Sequence, residues 1–197
     1  MATTTRGAAL VADQETRWRT RDIVVAAVIG VAFGVVFWAW GVRSAAAEPL
    51  FAFAPPVRDV MYGVWLVPAV LAPLIIRKPG AALFAEMVAA VVSALLGTVW
   101  SIDVLLSGFL QGAAAELIFA FALYRSYGPI VLVLAALASA LAAWVHDWVL
   151  YYPTIEPAVQ VVRLVVMLIS AAVLTAGGSI LLARSLRRSG ALDGFPS

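Results

Sequence analysis

Five polar residues stand in sequence that is otherwise almost wholly apolar: Gln111, Glu116, His146, Asp147 and Arg163. Groups of this kind are costly to desolvate, so each calls for a partner or a ligand. With Glu86 they make three carboxylates inside apolar stretches against one arginine and one histidine. A cavity with that balance favours a cationic or amino-rich ligand, because a like-charged ligand is repelled at low dielectric. Tyr62, Trp65 and Trp100 add aromatic faces that can stack on a flat ring or a cation, and each fits the interfacial aromatic belt equally well. Asp147 and Arg163 fit a plain ion pair locking two helices as well as they fit a ligand site. Glu116 has no basic residue near it in sequence and is read as a ligand or polar-network group. Glu86 falls about one and a half turns into its helix from the cytoplasmic start and is left out of the outer site.

Other chemistries find little support. The chain has no cysteine, hence no disulfide, thiolate metal site or thiol nucleophile. A phosphate-binding glycine loop, a zinc-binding H-E-x-x-H and a G-x-S-x-G elbow are all absent from the sequence. An intramembrane enzyme built on Glu116, His146 and Asp147 would have few nucleophile or metal options. No enzyme activity, cofactor or metal is expected, and the basic residues read as topogenic signals rather than a nucleic-acid surface.

These residues need apolar elements to hold them. The 197 residues are 64% hydrophobic and 12% charged, far from a soluble domain's balance. About six apolar stretches approach the roughly 20 residues that span a bilayer. They run over residues 23–42, 60–76, 81–99, 104–124, 130–150 and 161–183, separated by Pro- and Gly-containing breaks. Alternating β-patterning is absent. The reading is an all-α membrane protein: a six-transmembrane-helix bundle over 21–185, a flexible cytoplasmic tail over 1–20 and a cytoplasmic C-terminal tail over 186–197. Six crossings put Arg6, Arg17, Arg19, Arg21, Arg77, Lys78, Arg125, Arg184, Arg187 and Arg188 on one side, and only Arg43, Arg58 and Arg163 on the other. That bias places both termini in the cytoplasm. On the first stretch, Ala26, Gly30 and Gly34 form a small-residue face at four-residue spacing, which lets another helix approach closely.

A combination of motifs resembles a known family. Tyr62-Gly63-Val64-Trp65 opens the second stretch, and Arg77-Lys78-Pro79-Gly80-Ala81-Ala82-Leu83, followed by Glu86, joins the second to the third. Gly108-Phe109-Leu110-Gln111-Gly112-Ala113-Ala114-Ala115-Glu116 lies in the fourth, with Asp147 and Arg163-Leu164 beyond. Together they resemble the YkoE-type substrate-binding S component of energy-coupling factor (ECF) vitamin transporters, over roughly residues 18–185. The resemblance implies a six-helix membrane subunit that binds thiamine or its hydroxymethylpyrimidine precursor from outside. It implies as partners a transmembrane coupling protein and two cytoplasmic ATPases, with Ala26, Gly30 and Gly34 as the docking face. Gln111, Glu116, His146, Asp147, Arg163, Trp65, Tyr62 and Trp100 are then the expected substrate-binding set. The alternative is a stand-alone, proton-coupled secondary transporter of a small cationic solute, with Glu116 and Asp147 as the relay.

Overall fold

The computed structural model describes residues 17–51 and 55–195. Among them every regular element is a helix. Helix α1 spans Thr20–Ala46 and opens on a capping box, in which the Asp22 carboxylate accepts the Arg19 backbone N–H at 2.9 Å. Short 3-10 segments follow at Glu48–Phe51 and Pro55–Leu66, the second running directly into α2, Val67–Ile76. Then come α3, Ala81–Leu95, α4, Asp103–Phe121, and α5, Pro129–Leu150. The last helix, α6, covers Pro157–Arg188 and is wound as a π-helix over Ala171–Gly177.

Every residue of α2 is buried, so this helix is the centre around which the others stand. Its composition explains the position: an all-apolar run has no polar face to present to anything else. It stops where Arg77 takes a left-handed conformation, φ 55°. Around it the outer helices bury small residues and turn large aliphatic ones outward. Val24, Val28, Val31 and Val35 of α1 are exposed while Ala26, Gly30 and Gly34 are buried, the inverse of a water-soluble bundle.

Among the described residues five segments are long and apolar enough to cross a membrane: Thr20–Ala46, Pro56–Ile76, Asp103–Phe121, Pro129–Leu150 and Pro157–Arg188. The third expected stretch, over 81–99, is shorter, because the helix ends at Leu95 and the chain turns through Gly97 at φ 79°. The sixth is longer than expected and carries α6 to Arg188, after which Leu192 is buried and Phe195 packs on the core.

One end of the bundle gathers the basic segments. The Trp18 indole N–H donates to the Pro79 carbonyl at 2.8 Å, and the Arg21 guanidinium lies 5.0 Å from the Phe195 ring centre. Arg77 lies 5.6 Å from the ring centre of Tyr127. Burial, and after it the Glu116 carboxylate, push the Tyr124 and Tyr127 phenols up to about 12, so both stay protonated at this end.

Candidate ligand site

The opposite end holds a cavity with about 60 Å³ open to the centres of water molecules, room for several of them. Its α3 wall carries Glu86, Ala90 and Ser93, a four- and three-residue spacing that keeps all three on one helical stripe. The α4 wall carries Asp103, Ser107 and Gln111, again four residues apart. Thr98 and Trp100 come from the connection between these helices, Tyr62 and Trp65 from the 3-10 segment, and His146, Asp147 and Tyr151 from the end of α5. Two glycines let the walls close. A Cβ at Gly108 would lie 2.8 Å from that of Ala90, and one at Gly112 would lie 3.0 Å from that of Glu86.

A chain of polar contacts ties the mouth together. The Gln111 side-chain amide donates to Ser107 Oγ at 2.5 Å and approaches the Tyr62 hydroxyl at 3.5 Å. That hydroxyl donates to Asp147 Oδ1 at 3.4 Å. His146 bridges two carboxylates, with Nδ1 3.2 Å from Asp147 and Nε2 3.2 Å from Asp103. Tyr151 donates to Asp103 at 2.5 Å, and burial with that bond raises its phenol pKa, which keeps the donor proton in place. Tyr62 and Trp65 meet edge to face at 5.5 Å, as do Trp100 and Tyr151 at 5.6 Å.

The α3 side is different. Glu86 is 1% exposed, and its Oε2 accepts the Ala69 backbone N–H at 3.1 Å. Its other oxygen, Oε1, has no hydrogen-bond partner, and neither do the buried hydroxyls of Ser93 and Thr98. All three residues line this one cavity. Buried polar atoms are normally paired, and these three, without a protein partner, face one cavity with room for water.

Of the expected site residues, the structure brings Gln111, His146, Asp147, Tyr62, Trp65 and Trp100 to the cavity wall. Glu116 is elsewhere. Its carboxylate accepts the backbone N–H groups of Gly80 at 2.6 Å, Ala82 at 2.9 Å and Leu83 at 3.4 Å, capping α3 at the basic end. The reason is electrostatic: a helix N-terminus presents unsatisfied N–H groups and a partial positive charge, and Glu116 supplies the matching anion from another helix. Arg163 stands behind the wall. Its Nε donates to Asp59 Oδ2 at 2.8 Å, its guanidinium covers the Tyr152 ring at 3.9 Å, and it reaches Asp147 at 3.8 Å. Asp59, absent from the expected set, is therefore the main partner of this arginine. Glu86, left outside the site by counting turns, lines the same cavity. The signal was the Glu86–Ala90–Ser93 spacing, which matches the Ser107–Gln111 stripe it faces.

The residues expected to form the docking face on α1 lie inside the bundle in this structure. Ala26, Gly30 and Gly34 are buried against α3 within this chain. A Cβ at Gly30 would lie 2.6 Å from the Val88 Cβ, and one at Gly34 would lie 2.5 Å from the Val92 Cβ. In this structure the two glycines serve an internal contact with α3.

A mostly apolar helical bundle with a lined cavity at one end defines a membrane-embedded solute-binding protein. Residues 21–142 match the family model described as "ABC-type cobalt transport system, permease component". Among the described residues no group of three or more His, Cys, Asp or Glu is placed to hold a metal ion. The chain is 34% identical over 179 residues to the "Putative HMP/thiamine permease protein YkoE" of Bacillus subtilis (strain 168), covering 90% of this chain and 89% of that protein. A crystal structure of an S-component of an ECF transporter superposes with a TM-score of 0.86 at 33% identity, covering 90% of both chains. The chain belongs to this YkoE family of ECF transporter S components, multi-pass membrane proteins.

Proposed function

We propose that the cavity captures thiamine or its hydroxymethylpyrimidine precursor from outside the cell, for import by a complex with a transmembrane coupling protein and two cytoplasmic ATPase subunits. The observation that carries this reading is the set of Glu86 Oε1, Ser93 Oγ and Thr98 Oγ1, which have no protein partner and border one cavity. An aminopyrimidine edge offers an amino donor and ring-nitrogen acceptors. The carboxylate oxygen accepts the amino N–H, and the two hydroxyls donate to ring nitrogens. Tyr62, Trp65 and Trp100 supply aromatic surface for the flat ring, and Asp103 and Asp147 suit a thiazolium cation at the mouth. The printed name of the Bacillus subtilis relative points to the same ligand class.

In this reading α3 is a short sixth crossing, and both termini are cytoplasmic. The gathering of Trp18, Arg21, Arg77 and Phe195 at one end supports an even number of crossings, and the positive-inside bias supports their direction.

The test is to purify the protein in detergent, identify any co-purified small molecule by mass spectrometry, and titrate tryptophan fluorescence with thiamine and with hydroxymethylpyrimidine. Folded protein that shows no quenching at micromolar concentrations of either ends this reading. Glu86→Gln is expected to weaken binding by about tenfold or more, the scale of one charge-assisted hydrogen bond. Unchanged affinity would remove Glu86 from the site. Strong uptake by this chain expressed without any ATPase partner would favour proton-coupled transport instead.

A further inference from the structure

The π-wound stretch of α6 touches the segment that carries two of the cavity's aromatic rings. Gly63 sits between Tyr62 and Trp65, and its backbone is held on both sides. Its N–H donates to Ser170 Oγ at 2.9 Å, and its carbonyl accepts from Thr175 Oγ1 at 2.7 Å. The Ser170 hydroxyl donates in turn to the Val60 carbonyl at 2.6 Å. Both hydroxyl residues are essentially fully buried, and neither lines the cavity. The contact has no slack, since a Cβ on Gly63 would lie 2.6 Å from the Ser170 carbonyl oxygen.

Winding explains how one helix supplies both hydroxyls. Residues five apart on an α-helix point about 140° away from each other, given 3.6 residues per turn. The i to i+5 pattern of a π-helix brings such residues nearly above one another. Ser170 immediately precedes the π stretch Ala171–Gly177 and Thr175 lies within it, and the two hydroxyls hold the two peptide units that flank Gly63. The segment they hold needs such support. Pro55–Leu66 is a 12-residue 3-10 run, whereas such runs seldom exceed three or four residues because their own hydrogen bonds are poor.

We infer that Ser170 and Thr175 are positioning residues for the ligand site: through Gly63 they fix the 3-10 segment so that Tyr62 and Trp65 face the cavity. The inference rests on the proposed ligand reading for its binding arm and has a second arm that does not.

The experiment compares Thr175→Val, which keeps the shape and removes the hydroxyl, with Thr175→Ser, which restores it. Hydrogen–deuterium exchange over residues 59–66 of the detergent-purified, ligand-free protein reads the latch itself, and thiamine titration reads its effect. Thr175→Val is expected to speed exchange in that segment and weaken thiamine about tenfold, with overall thermal stability close to wild type, while Thr175→Ser behaves as wild type. Unchanged exchange in Thr175→Val overturns the inference, as does faster exchange with unchanged affinity. Wild-type protein that binds neither thiamine nor hydroxymethylpyrimidine overturns the ligand reading, and the exchange comparison then decides the latch alone. Ser170→Ala, where it folds, should reproduce the Thr175→Val pattern.

Discussion

Glu86 and Glu116 are both carboxylates on apolar helices, and both accept backbone N–H groups, yet they have opposite uses. Glu116 spends both oxygens on α3's first turn, while Glu86 keeps one oxygen free on the cavity wall. Glu116→Ala should therefore lower thermal stability by about 2 kcal/mol, a capping and charge-assisted hydrogen-bond loss, and leave thiamine affinity unaltered. A weakened affinity at preserved stability would contradict that division. In the sequence the two residues were indistinguishable by type. A non-local cap such as Glu116 on Gly80 depends on which helix ends meet, and no local pattern carries that. By contrast the placing of Gln111, His146 and Asp147 around one cavity was legible, because polar residues on otherwise apolar helices have few places to go.

At the scale of elements, the sequence showed that α1 has a face for close approach, which the family resemblance assigned to the coupling protein; within this chain another helix fills it. The partner is α3, and the fit is tight enough to be read from the glycine positions. Gly30→Leu is expected to prevent α1 and α3 from meeting and to cost folded protein, seen as lost monodisperse material on size exclusion. Gly30→Ala should cost about 1–3 kcal/mol in thermal unfolding, the usual penalty for overfilling a packed contact. Stable Gly30→Leu protein that fails only in transport would restore the docking role. The helix ends were less legible than the all-helical membrane class. Proline breaks were visible, but the early stop of α3 depends on Gly97 taking φ 79°, and the π winding of α6 leaves no hydropathy signature.

At the scale of the whole molecule, one buried ion pair joins segments far apart in sequence. Arg163 of α6 binds Asp59 of the 3-10 segment and reaches Asp147 of α5. Arg163→Ala should destabilise the protein by about 3–5 kcal/mol, since it strands a buried carboxylate, and adding Asp59→Asn should recover part of the loss. A double variant no more stable than the single one would argue against the pair. Orientation can be checked because the sequence has no cysteine. Thr154→Cys, at the cavity end, should react with an impermeant maleimide on intact cells, and Ser126→Cys, at the basic end, should not. The reverse pattern would invert the topology.

The shortness of α3 has a consequence for the lipid around it. Its 15 residues measure about 22 Å along the axis, against a hydrocarbon core of about 30 Å. Phe84, Val91 and Leu95 form its exposed flank, so in the proposed six-crossing arrangement acyl chains beside this helix meet a hydrophobic mismatch that the longer helices do not impose. The bilayer is expected to pinch on that side of the molecule. In nanodiscs of graded acyl length, the protein should be most heat-stable in the thinner bilayers, and membrane thickness becomes a variable that tilts the whole subunit.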